Sequence, residues 1–404
     1  MKWEKVTLEE VSTRIGDGLH GTPKYEETGE FYFINGNNLS DGKIVIKEDT
    51  KRISNIEYEK IKRELNDRTI LVAINGTIGN IGLYNNEPVT LGKSACYINV
   101  IDIAEKLFIR YVLENHDFQV YAQDFATGST IKNLGLKAVR NYSFNLPPLP
   151  TQRRIASILS AYDDLIENNL KRIKLLEEKA QLQYKELIQE MSYAKIKREE
   201  YIKNCLAFYI GGGWGEEDYQ EKFTEPAYVI RGTDIPDTRG GNVSGIPLRF
   251  HKTSNLASRK MQVGDIVFEI SNGQINNIGR TVLITKRLLG QFTQPVMCAS
   301  FAKLIRVNEK VSPEFFYLYL NEGQENGLLY QYKSNSANGI NNFAFETFIE
   351  EVKITIPKET ELKSFTEKVK PIFTLISTLG EQNTKLREAR DILLPRLMSG
   401  EIEV

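Results

Sequence analysis

Gly211-Gly212-Gly213-Trp214-Gly215 is the stretch of this 404-residue chain that most invites a phosphate-binding reading, because glycine lets backbone amides close on an anion. It lacks the Gly-Lys-Ser/Thr ending of a nucleotide loop and the spacing of a dinucleotide fingerprint, and its counterpart at Gly16 and Gly18 is sparser still. A turn needing positive φ is the plainer expectation. Asp163-Asp164 could be a carboxylate pair, but it stands on the flank of a helical seam, where a solvated face is expected. His20, His116 and His251 are far apart, as are Cys96, Cys205 and Cys298, so the spacing spells out no catalytic triad, metal site or disulfide framework.

The elements are clearer than the chemistry. From Thr151 to Gln189 the apolar residues Ile155, Leu159, Tyr162, Ile166, Ile173, Leu176, Ala180 and Leu187 recur at alternating spacings of four and three, with Asn169 and Gln183 filling the gaps. That is a coiled-coil seam. Leu146-Pro147-Pro148-Leu149-Pro150 leads into it, and Thr151 is the expected N-cap. Asn145-Leu146-Pro147-Pro148 superficially resembles the Asn-Pro-Pro-aromatic tetrad of adenine methyltransferases, but the extra leucine and missing aromatic spoil the match. A second seam runs from Glu361 to Met398, 210 residues on: Phe365, Val369, Ile372, Ile376, Leu379, Leu386, Leu393 and Leu397, with Asn383 and Arg390 as polar members. The two helices are expected to pair antiparallel; Pro371 and Gly380 are blemishes in the second, and the proline is expected to kink it or split off its first turns.

The repeat extends to the globular parts. Ile15 to Gly18 is echoed by Ile210 to Gly213 at an offset of 195, Ile34-Asn35-Gly36 by Ile230-Arg231-Gly232 at 196, and Asn75 to Gly82 by Asn272 to Gly279 at 197. Cys96 matches Cys298 at 202, Phe108 to Leu113 matches Phe315 to Leu320 at 207, and Ile131-Lys132-Asn133 matches Ile340-Asn341-Asn342 at 209. An offset that only rises is the mark of a tandem duplication with small insertions. The expected domains are 1–150, a first strand-rich globule; 151–190, the first helix; 191–357, a connection over Met191 to Lys203 and a second globule; and 358–404, the second helix and tail. Each globule is expected to hold four short strands and one short helix. Apolar content of 41%, charged content of 26% and a net charge of -1 are those of an ordinary globular protein rather than an indiscriminate polyanion binder. MKWEKVTLEE carries no apolar signal core and no apolar run spans a bilayer, so a cytoplasmic location without membrane contact is expected.

The combination resembles the specificity subunits of type I restriction-modification systems. Leu146 to Ile158, the helix behind it, Leu393 to Ile402, and Asn75 to Gly82 with its echo carry the resemblance, while Ile356-Pro357-Lys358 departs from the fuller proline lead-in. It implies an α+β fold with two tandemly duplicated target-recognition domains and an antiparallel two-helix coiled-coil spacer, pseudo-twofold. It also implies double-stranded DNA with a bipartite asymmetric target, two modification subunits that methylate adenine-N6, and translocating restriction subunits as partners. The chain would be non-catalytic and hold no cofactor; S-adenosylmethionine belongs to the methyltransferase partner, and ATP and Mg to the restriction partner. The helix from Ile155 to Leu187, at about 1.5 Å per residue, measures roughly 50 Å, and one added heptad, about 10 Å, corresponds to about three base pairs of unread gap.

Duplicated positions that share backbone and differ in side chain are the expected readers of two different half-sites. Asn35 and Arg231 form one such pair, Thr77 and Gln274 a second, and Asn37, Asn38, Asn75, Thr233, Asp234 and Asn272 flank them. Phosphate contacts are expected from Lys51, Arg52, Lys60, Lys62, Arg63 and Lys132 in the first copy and Arg249, Lys252, Arg259 and Lys260 in the second. Lys132, Asn335, Asn338, Asn341 and Asn342 stand between a DNA role and a structural one, and Trp214 between stacking on a base and partial burial. Asn169 and Asn383 either set the pairing register or face a methyltransferase helix. Two other functions fit the architecture: a non-DNA coiled-coil scaffold with two ligand-binding globules, and an enzyme with cryptic sites. A reader serving a methyltransferase without a nuclease is a narrower alternative.

Overall fold

The computed structural model describes residues 3–128, 132–193, 198–335 and 339–404; Ile131 and Asn338 therefore lie outside the described residues. The chain forms two compact units, Met1–Asp164 with Glu388–Val404, and Leu165–Arg387. In the first, an antiparallel sheet runs in the order Ser12–Asp17, Ala95–Val100, Thr69–Ala73, Ile81–Leu83. Every residue of Thr69–Ala73 and Ala95–Val100 is buried, which is why these central strands read as apolar runs rather than alternating ones. A smaller sheet places Phe31–Ile34 between Arg52–Ile53 and Val89–Leu91, parallel to the latter.

The second unit repeats both sheets. Leu206–Gly211, Ala302–Val307, Ile266–Glu269 and Thr281–Leu283 form the larger, and Leu248–His251, Glu225–Ile230 and Val296–Cys298 the smaller. The helices Lys106–Glu114 and Pro313–Glu325 recur in the expected places, but each unit holds further short helices. Of the expected connection, Met191 to Tyr193 continue the first long helix, and Glu199–Tyr201 is a strand paired with Lys353–Thr355.

Matching hydrogen bonds align the two copies residue by residue. The Gly18 amide donates to Ala95 O as Gly212 does to Ala302 O, and the Gly92 amide to Ile34 O as Ala299 does to Ile230 O. The Gly79 amide donates to Ala73 O as Gly279 does to Glu269 O, and Leu134 to Ile74 O as Phe343 does to Ile270 O. The offset still rises along the chain, but several sequence pairings are corrected. Gly18 matches Gly212, not Gly213; Cys298 matches Leu91, not Cys96; and Gly279 matches Gly79, not Gly82. Consequently Thr77 matches Asn277, and Gln274 lies among extra residues of the second copy. Insertions within loops let identical dipeptides fall into false register, which the sheet ladders resolve. Gly18 and Gly212 are required by close approach, since a Cβ at Gly212 would stand 2.2 Å from Cys298 O. In the glycine-rich stretch only Gly215 takes a positive φ, 72°.

The long helices are Leu149–Tyr193 and Glu359–Met398. The first unit holds the start of one with the end of the other, the second unit the reverse, so they pair antiparallel. Ile155, Leu159, Leu394 and Leu397 join the core of the first unit, and Ile173, Val369, Ile372 and Ile376 that of the second, where Leu176 packs at its margin. Ile166 is also buried, whereas Leu386 and Leu393 are half-buried. Thr151 is not the cap: the helix begins at Leu149, because Pro150 sits in the first turn where no amide hydrogen is needed. Gln152, 1% exposed, fastens this start by donating to Pro147 O at 2.7 Å and accepting from the Glu105 amide at 2.8 Å.

Pro371 does not split the second helix, which runs without a break from Glu359 to Met398. Gly380 has a packing role: a Cβ there would lie 2.2 Å from Gly240 O and 2.4 Å from Gly241 Cα. Gly380→Ala is therefore expected to lower stability by about 1–3 kcal/mol through overpacking, although alanine in an ordinary helix would add about 1 kcal/mol. Denaturant titration of both forms reads the sign, and a stabilised variant would refute the close contact.

Candidate nucleic-acid interface

The strand Phe31–Ile34 ends in Asn35 and a tight turn over Gly36–Asn38; Glu225–Ile230 ends likewise in Arg231 and Gly232–Asp234. Both turns close on a side-chain cap. The Asn35 amide donates to Asn38 Oδ1 at 3.0 Å, and the Arg231 amide to Asp234 Oδ2 at 2.8 Å. Asn38 and Asp234 are thus buried turn residues, not outward-facing readers as expected, because the turn's amides need these acceptors. Asn38 also donates to Val45 O and Thr50 Oγ1, which uses up its amide.

The side chains at the head of each turn differ in chemistry. Asn35 is half-buried and its Oδ1 accepts from Ser94 Oγ at 2.9 Å. The Arg231 guanidinium, 40% exposed, donates to both Asp234 oxygens and to Gly245 O. Asn37 and Thr233 are exposed beside them.

A second loop lies next in each copy. Asn75 is half-buried and bridges to Asn133, while Thr77 is exposed. In the second copy Asn272 Oδ1 accepts from the Gln274 amide at 2.8 Å, and Gln274 is exposed. Asn341 donates to Gly273 O at 3.0 Å, and Asn342 Oδ1 accepts from Ser271 Oγ, so these two asparagines hold the loop. Asn335 and Lys132 are exposed.

The candidate phosphate ligands have unequal surroundings. Lys51, Lys132 and Lys260 are exposed, whereas Lys60 and Lys62 pair with Glu57 and Glu59. Arg52 donates to Tyr32 Oη at 2.6 Å and Lys252 stands 5.2 Å from the Phe223 ring. Arg63 is turned inward onto Asp17 O and Arg259 onto Gly211 O, so each spends part of its donor set on its own backbone. Arg249 lies 4.4 Å from the centroid of Trp214, itself 38% exposed, and pairs with Glu217 at 2.6 Å.

His251, at the end of the same strand as Arg249, is 1% exposed, and among the described residues neither ring nitrogen has a hydrogen-bond partner. Burial, with Arg259 adding to it, depresses its pKa below the ordinary 6.5. The unfolded chain then binds the extra proton, so this residue's contribution to stability is present above about pH 6.5 and is lost as pH falls below it. Melting curves between pH 7.5 and 5 are expected to fall more steeply for the native chain than for His251→Phe; parallel curves would exclude this linkage.

Sequence reasoning missed two networks. Asp163 is not a solvated carboxylate: it accepts from Arg390 at 2.7 Å, from Tyr111 Oη at 2.7 Å and from Arg110 at 2.8 Å. Asp164, its neighbour, is exposed. In the second unit Asn169 Nδ2 donates to Asn383 Oδ1 at 2.9 Å, both side chains being buried, a pairing met in only one register. The other missed group is Glu269 with Arg280, an ion pair at 2.8 Å behind the two loops of the second copy.

Residues 1–178 match the model of the family described as type I restriction modification DNA specificity domain. The first unit's globule lies wholly within the stretch that matches this family's model. The second unit repeats the larger and smaller sheets in the same strand order, with matching backbone hydrogen bonds at their ends. The chain is 24% identical over 352 residues to the type I restriction enzyme MjaIX specificity subunit of Methanocaldococcus jannaschii, covering 83% of this chain and 78% of that one. It is 23% identical to the putative MjaX specificity subunit of the same organism, covering 100% and 94%. A crystal structure of the type I restriction-modification S subunit from M. genitalium shares the fold with a TM-score of 0.55 at 16% identity, covering 98% of this chain and 96% of that one. The chain thus resembles type I specificity subunits along its length, with two strand-rich domains and two long helices. Among the described residues no helix is long and apolar enough to cross a membrane, and no cluster of potential ligands is arranged for a metal.

Proposed function

We propose that this chain is the sequence reader of a type I restriction-modification complex, in which each specificity domain reads one half of a bipartite, asymmetric DNA target. The supporting observation is the pair of turns at Asn35 and Arg231, which share the same backbone and capping hydrogen bonds and present different side chains. Asparagine suits adenine and arginine suits guanine in the major groove, so one scaffold addresses two sequences. Asn37, Thr77, Thr233 and Gln274 are the exposed neighbours in the same two loops. Lys51, Lys132 and Lys260 would take phosphates. The chain itself is non-catalytic; two adenine methyltransferase subunits bring S-adenosylmethionine and draw the target base from the duplex, and restriction subunits bring ATP and Mg.

Co-expressing the chain with an adenine methyltransferase subunit of its own system and mapping every modified adenine tests this reading. A single bipartite motif with one methylated adenine in each half is expected. A soluble complex that leaves the DNA unmodified would move the function to a scaffold that binds other ligands.

A further inference from the structure

We propose that Glu269 and Arg280 are positioning residues that lock the two reading loops of the second specificity domain to each other, an inference that rests on the base-reading role proposed for Arg231 and Gln274. Glu269 closes the apolar strand Ile266–Glu269 and is 1% exposed. Its two oxygens face two loops. Oε1 accepts from Asn272 Nδ2 at 2.7 Å, and Asn272 in turn accepts from the Gln274 amide. Oε2 accepts from Arg280 Nε at 2.8 Å, and the same guanidinium donates to Gly232 O at 3.0 Å, one residue after Arg231. A continuous chain of hydrogen bonds therefore joins the Arg231 turn to the Gln274 loop through one buried carboxylate. The fit is tight, since a Cβ at Gly232 would stand 2.0 Å from Glu269 Oε1.

The first copy shows what the fold requires without this device. Ala73 and Asn80 occupy the positions of Glu269 and Arg280, as the shared backbone hydrogen bonds show. Ala73 is fully buried, and the Asn80 side chain donates to Leu39 O at 2.8 Å instead of to a carboxylate. The sheet forms equally well with an alanine there, so the ion pair is not needed to build it. A buried ion pair also adds little to stability over an apolar solution of similar shape, because desolvation offsets the attraction. What distinguishes the second copy is the longer loop carrying Gln274, which has more freedom to lose. Base reading demands side chains held to within about 0.5 Å, and the Glu269–Arg280 pair supplies the restraint.

The test uses the full chain in complex with its methyltransferase subunits. Glu269→Ala combined with Arg280→Asn transplants the first copy's solution and leaves no buried charge unpaired. Arg280→Lys keeps a cation beside Glu269 but cannot also reach Gly232 O in the same geometry, and it serves if the double variant fails to fold. Both are expected to leave the first half-site unchanged and to reduce discrimination against single base changes in the second about tenfold, read as a degenerate half in the methylation map. Arg231→Ala and Gln274→Ala run in parallel. If those alter the second half-site while the Glu269 and Arg280 variants leave it intact, the positioning role is overturned and the reading role stands. If none of the four variants alters it, both are overturned.

Discussion

Replacing Arg231 by alanine is expected to degrade one half of the methylated motif and leave the other untouched. A well-placed arginine is worth about 1–3 kcal/mol of discrimination at one base pair, roughly tenfold to a hundredfold in preference. Asn35, its counterpart, is in the other unit and is anchored separately to Ser94, so nothing done to Arg231 reaches it through the hydrogen bonds described. The free protein holds the guanidinium against Asp234 and Gly245 O. That arrangement fixes its plane and leaves it 40% exposed, so contact with a base requires exchange of partners rather than refolding of the turn. Methylation mapping in cells carrying the variant complex is the direct readout. Loss of discrimination in both halves, or in neither, would refute the assignment.

Asp163→Ala is expected to cost the first unit about 1–3 kcal/mol, because it removes the shared acceptor of three donors in a largely buried site. Arg110 is 9% exposed in its side chain and is balanced by Asp163 and Glu114, while Arg390 reaches the same carboxylate from the second long helix. Tyr111 completes the group as a neutral donor, since burial raises its pKa far above the ordinary value. The network ties the globule, the start of one helix and the end of the other within a single unit. Asp163→Asn should cost less than Asp163→Ala, keeping an acceptor and losing the charge. Chemical denaturation followed by a probe in the first unit measures the effect, and a change below 1 kcal/mol would show that the cations find solvent instead.

Both long helices were legible in the sequence, since alternating four and three spacing has one common physical cause, an apolar stripe that must be covered. The duplication was legible for a similar reason: strands that build the same sheet keep the same apolar runs. Within the copies, however, short Gly and Asn matches misled, and Thr77 was paired with Gln274 when the ladders match it to Asn277. Loop insertions carry no periodic signal, so only the hydrogen bonds fix the correspondence.

Periodicity and repetition in the sequence were enough to give the class of fold: two strand-rich α+β domains in tandem, each followed by a heptad helix, with lone histidines and cysteines that spell no catalytic constellation. These follow from periodicity and repetition, which are local properties of the chain. Which polar groups are available was settled by the fold. It turned Asn38 and Asp234 into turn caps, drew Asp163 into a buried network with Arg110 and Arg390, and set Glu269 and Arg280 behind the loops that carry Arg231 and Gln274. A polar residue looks the same in sequence whether its hydrogen bonds go to water, to DNA or to a distant backbone carbonyl. Burial and partner geometry make that choice, and they arise only when segments far apart in the chain come together.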